Sequence, residues 1–386
     1  METEIVQKKS SSLTWLFLEL AIVVSVFSQI ELISEVMRPS MYAVWILVIL
    51  WGVVKNNFSI RFSSFTKKFI VPYVAFCSFC LIIGQFDETY LSARYLRVLT
   101  VPLLVTIAGD MYANMDLALL NRIVKLYLIC SVIFAFWVQG TYFASYSAWL
   151  SAETYLFEQK NSASQIWCAA IFVAVFLIEY RSKIEKYVAY AGCFYLFVMT
   201  AVCQCRTSIL GVAAAVVAYT ISRSKNKIPL ILVLMSLAIA AWFIPFTREF
   251  FEQAFLLNKY EGADLDTFSS GRLGAYETAF SYIWESPIIG VGHYYVDCSY
   301  ISILVETGLV GFFLIEFVWV NKMLGCYRFN SESKAKIFLF FITTFYVVES
   351  LLEGYPPFGP GVSAFMFWFV TAIIINKNNN LSKNSC

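Results

Sequence analysis

Residues 269–311 read SSGRLGAYETAFSYIWESPIIGVGHYYVDCSYISILVETGLVG. The first half is the only long hydrophilic interval in an apolar chain, and the second half enters a run of membrane-spanning length carrying Glu306 and a Gly308-x-x-Gly311 pair. Ser269, Ser270 and Gly271 are suited to cap a helix starting at Arg272, and Leu273, Tyr276, Phe280, Ile283 and Trp284 then recur at helical spacing until Pro287 ends it. Such an amphipathic helix belongs on a bilayer surface or over the mouth of a helical bundle.

The flanking sequence agrees. Of 386 residues, 60% are hydrophobic, 18% aromatic and only 14% charged, which excludes an ordinary soluble domain. A net charge of +2 without a basic stripe gives no reason to invoke nucleic acid. Ten cysteines and one histidine form neither a zinc pattern nor a disulfide framework, and the thiols read as small buried hydrophobes. Lys8 and Lys9 precede an apolar run that resembles a signal peptide, but no small-residue cleavage site comes after it, so the expectation is an uncleaved first span.

Windows of the ~17–25 residues needed to cross the hydrocarbon core number about twelve. They are Leu13–Ile30, Met41–Val54, Phe69–Phe86, Ser92–Gly109, Ile123–Tyr142, Ser164–Glu179, Lys186–Cys203, Thr207–Ser222, Ile228–Phe246, Ser299–Val320, Ile337–Leu352 and Gly361–Ile375. With the first end inside, twenty of the 28 Lys and Arg residues fall in cytoplasmic segments, Lys322 among them. That bias predicts two cytoplasmic termini. The chain is therefore expected to be all-α, one polytopic membrane bundle over 1–386, with a large outer loop at 247–298 and a disordered cytoplasmic tail at 376–386.

The outer-side cations break the bias and mark the candidate site. Arg94 and Arg97 project from one side of a span end, Arg206 opens the span after Cys205, and Arg272 stands in a helical first turn, where a cation opposes the helix dipole. Each alone fits snorkelling or an interfacial position; together on one side they suit a diphosphate, because guanidinium forks match phosphate oxygens. Asp297 fits either a general base or the N-cap of the next helix, and His293 either a base or an interfacial residue. Gly308 and Gly311 read as sites of close helix packing. Asp264-Leu265-Asp266 has a spacing some transferases use for a divalent ion, though a solvated acidic loop explains it as well.

Four features in order resemble the bacterial O-antigen polymerase and O-antigen ligase superfamily. They are Lys160-Asn161-Ser162-Ala163, Cys205-Arg206-Thr207, Ser270-Gly271-Arg272 with Pro287-Ile288-Ile289-Gly290-Val291-Gly292, and Glu306-Thr307-Gly308-Leu309-Val310-Gly311. The resemblance implies a GT-C-like bundle in the inner membrane, working at its periplasmic face on undecaprenyl-diphosphate-linked sugars, without a required metal or other cofactor. It also implies a chain-length regulator and a flippase as candidate partners. Ligases of the superfamily place a His and an Asn-like residue where this chain has Asp297 and Cys298, a departure that favours a polymerase. On that reading Arg206 and Arg272, with Arg94 and Arg97 as secondary candidates, hold the diphosphate, and Asp297 or else His293 takes the acceptor proton. A lipid-linked oligosaccharide flippase and a structural or binding subunit of an assembly complex are the rivals from outside the enzyme class.

Overall fold

A computed structural model describes residues 2–56, 62–86, 93–113, 117–143, 160–224, 271–292, 294–329, 333–354, 357–358, 364–384 and scattered positions between 229 and 252. Twelve helices are defined end to end among them: α1 (Glu2–Phe27), α2 (Glu31–Lys55), α3 (Ser64–Ile83), α4 (Ala93–Met111), α5 (Leu117–Tyr142), α6 (Lys160–Phe176), α7 (Lys183–Val202), α8 (Arg206–Arg223), α9 (Arg272–Glu285), α10 (Ser299–Tyr327), α11 (Lys334–Leu352) and α12 (Phe365–Asn384). No strand occurs among the described residues. Five segments are long and apolar enough to cross a membrane by length and composition: Glu31–Lys55, Thr66–Ile83, Ala118–Tyr142, Ser299–Tyr327 and Lys334–Leu352.

Every expected span except Ile228–Phe246, which falls largely outside the described residues, overlaps one of these helices. Three details differ from the sequence reading. Arg38, expected in a loop, lies inside α2, which starts at Glu31 and carries Pro39. Lys322, counted as a cytoplasmic cation, is buried on α10. The tail expected to be disordered continues α12 as far as Asn384.

The helices sort by how much of their surface is covered. On α6 every side chain from Ala163 to Ala170 is buried, and on α12 so is every one from Phe365 to Ile375, so these two are central. Trp167 of α6 meets Phe134 of α5 at 5.8 Å between ring centroids, and Phe172 meets Phe341 and Phe345 of α11 at 5.7 Å each. Trp45 of α2 packs against the rings of Phe365 and Phe369 of α12. α11 also packs closely on α8, where a methyl group at Gly211 would come within 2.8 Å of the Phe345 ring. Outward, Leu16, Leu50, Val71, Ile82, Phe194 and Phe313 remain exposed, an apolar perimeter suited to lipid.

The 269–311 stretch forms a splice. α10 is broken at Gly308 (φ 61°, ψ −168°), a conformation open essentially to glycine alone. The broken helix trades hydrogen bonds with the 287–292 loop: Val291 and Gly292 donate their N–H groups to the Val305 and Glu306 carbonyls at 2.9 Å. In return, Leu309 and Val310 donate to the carbonyls of Pro287 and Ile288 at 2.9 and 3.2 Å. In hydrocarbon an unmade backbone bond costs several kcal/mol, so this exchange is what permits the break. Gly290 (φ 77°) is required opposite it, since a Cβ there would lie 2.6 Å from the Glu306 carbonyl oxygen. The glycines expected to seat another helix therefore do two jobs: Gly308 seats a loop backbone, and only Gly311 faces a neighbouring helix, at Phe76 of α3.

Candidate functional site

At the end of the bundle where α6, α8 and α9 begin, α11 ends in Glu353, and residues from all four helices meet around that carboxylate. Asn161, in the first turn of α6, donates its side-chain amide to Glu353 Oε1 at 3.0 Å. Thr207, in the first turn of α8, lies near the same group, its buried hydroxyl making no hydrogen bond of normal geometry among the described residues. Arg272, the first residue of α9, donates from its guanidinium to Oε1 at 3.3 Å. Three helix N-termini thus converge on one place, and each N-terminus carries partial positive charge.

α9 begins where its sequence says it should, because Gly271 takes the left-handed conformation (φ 78°) that starts the helix at Arg272. Tyr276 then donates to the Asp297 carbonyl at 2.8 Å and Tyr294 to the Ala275 carbonyl at 3.2 Å, pinning the helix to the segment before α10. Its apolar residues do not form the single face expected. Tyr276, Ala279 and Ile283 pack with Val296 and Val305, whereas Leu273, Phe280 and Trp284 stay exposed. The pinning holds Asp297 against Arg272, Oδ2 to Nε 3.2 Å. Asp297 does not cap α10; Cys298 occupies the N-cap without a side-chain bond.

Charge is concentrated here. Burial pushes the Glu353 carboxyl up to about 7, the Asp297 charge adds to the rise, and Arg272, Thr207 and Asn161 pull the other way. The Tyr295 phenol is likewise pushed up, by burial and then by Asp297 and Glu353. Lys160 lies within electrostatic reach of both Arg206 and Glu353. One turn back on α11, Glu349 is fully buried, accepting from Ser208 at 2.6 Å and from Gln165 at 2.9 Å, while Ser208 also pairs with Ser164 at 2.8 Å. The result is a set of cations at the mouth with two carboxylates stacked beneath them.

Of the residues singled out in the sequence, the structure pairs Arg272 with Asp297, and it sets Arg206 at the start of α8 within electrostatic reach of Lys160. Arg94 and Arg97 lie in the first turns of α4, but their side chains fall outside the described residues, as do His293, Asp264 and Asp266. Glu349 and Glu353 are the members of the site that the sequence reading misses. A signal for them exists: two acidic residues at i, i+4 where an apolar span ends are costly to place there without a reason.

Residues 191–315 match a family model described as O-antigen ligase. The match is consistent with the O-antigen polymerase and ligase superfamily and supports a ligase- or polymerase-type function in surface-polysaccharide assembly. It spans Arg206, Arg272, Asp297 and the break at Gly308, and leaves Asn161, Glu349 and Glu353 outside. No curated protein matches the chain.

Proposed function

We propose that the chain is a GT-C-like polymerase that transfers a growing glycan from undecaprenyl diphosphate to the non-reducing-end hydroxyl of an incoming lipid-linked repeat unit. The observation that carries this reading is that Lys160 and Arg272, each opening a helix, both approach Glu353 at one end of a membrane bundle, with Arg206, which opens a third, within electrostatic reach of Lys160. A diphosphate is already a good leaving group, so the protein's main task is to stabilise the charge that develops as the anomeric bond breaks. Arginine forks and helix N-termini supply that stabilisation without a metal. The bundle crosses the inner membrane about twelve times with both termini in the cytoplasm, a count that rests on span length, and the Arg272 end faces the periplasm. Arg94 and Arg97 are further candidates for the diphosphate, and Asp297 or His293 for the proton.

The expected outcome for Arg206→Ala and Arg272→Ala is normal protein in the membrane and glycans of a single repeat unit, read on a gel of lipid-linked products. Normal ladders in both variants would remove the diphosphate reading. Transfer to lipid A core is the second reading, favoured by the family description itself. Products attached to core, with none lengthened on undecaprenyl diphosphate, would select it.

A further inference from the structure

Arg272 is held by two carboxylates at once, Asp297 at 3.2 Å and Glu353 at 3.3 Å. Both contacts are longer than the ~2.7–2.9 Å of a strong charge-assisted bond, and each offers the guanidinium one oxygen where a phosphate offers a bidentate pair. On the diphosphate reading, the carboxylates stand where the oxygens of a diphosphate would, and the incoming donor displaces them. Their fates diverge once Arg272 lets go. Asp297 is 35% exposed and returns to water. Glu353, at 8%, keeps only its immediate surroundings: Asn161, Thr207 and Lys160 from α6 and α8, Tyr295 beside it, and Glu349 one turn back.

Resting on the diphosphate reading, we propose that Glu353, in place of Asp297 or His293, is the group that takes the proton from the attacking sugar hydroxyl, and that Arg272 holds it in reserve until the donor's diphosphate draws the guanidinium away. While paired, Arg272 favours the ionised carboxylate; once it leaves, the buried carboxylate gains proton affinity at the moment the acceptor hydroxyl arrives. In the transfer the hydroxyl proton passes to Glu353, the freed oxygen pair forms the new bond to the anomeric carbon, and the old bond pair leaves on the diphosphate oxygen. A base tied to the departing group in this way is strongest only with donor in place, so proton acceptance and leaving-group stabilisation are engaged together.

The test uses the full-length protein in lipid nanodiscs with undecaprenyl diphosphate as the binding probe, beside chain elongation in cell membranes. Glu353→Gln is expected to bind the probe about fivefold tighter or more, because a competing anion is gone. The same variant is expected to lose elongation by about 100-fold or more, as removal of a general base does, and Glu353→Asp to recover part of it. Normal ladders from Glu353→Gln, or binding weakened in proportion to elongation, would overturn the assignment to Glu353 and leave the diphosphate reading standing. Failure of the wild-type protein to bind the probe would instead remove the diphosphate reading, and the proposal with it.

Discussion

Near the two ends of α10, cations sit in opposite settings. Beside its start, Arg272 of α9 is 23% exposed and meets two carboxylates through loose contacts. Near its finish, Lys322 is 1% exposed, its Nζ lying 5.2 and 4.9 Å from the ring centroids of Phe367 and Trp368 and 3.4 Å from the Trp368 carbonyl. An ammonium held by rings and a carbonyl is sealed in, with no route for an incoming anion to exchange with those partners. A guanidinium held by carboxylates at a solvent-reached mouth is open to exchange. Burial of a cation alone therefore does not mark a binding site; the distinguishing mark is the kind of partner and whether a ligand can replace it.

That contrast is sharpest in activity. Arg272→Ala should reduce chain elongation by about 100-fold or more, whereas Lys322→Met should leave the ladder unchanged; a ladder lost in the Lys322 variant at normal membrane abundance would erase the distinction. Next in size is Gly308→Ala, which strains a glycine-only conformation and drives a methyl group into the Ile288 carbonyl. A loss of about 2–3 kcal/mol is expected, read as a lowered denaturation midpoint in nanodiscs. Arg272→Lys keeps the charge without the fork and should cost about tenfold in elongation, with the loss in probe affinity to match.

The smallest effect is on pH. Because the folded state raises the Glu353 pKa to about 7, folding binds a proton there, so the stabilising contribution is full below the unfolded carboxylate range and is lost as pH rises toward and through 7. Glu353→Gln should accordingly be more heat-resistant than the wild type at pH 8, with the gap narrowing toward pH 5. A gap that widens in acid would show that the Arg272 pair, not burial, dominates this carboxylate.

Local features are legible in the sequence and convergent ones are not. The start of α9 at Arg272 can be read because Gly271 and the periodicity after it are written within a few residues. The company of Arg272 with Asp297 is legible only as a shared loop. Glu353 comes from a helix 81 residues further on, and Asn161 reaches it across 192 positions. No periodicity encodes such a meeting; it arises from α8 and α11 packing tightly enough to bring their ends together. Gly308 misleads for a related reason: a small residue in an apolar run has the same spelling whether it admits a helix or a loop.

Surface connections ordinarily tolerate gained or lost residues. The 287–292 segment is different, because its amides and carbonyls stand in for missing rungs of α10. Adding or removing a single residue there would put every donor opposite the wrong acceptor, and the damage would emerge as unravelling of a transmembrane rod, not as a slack turn.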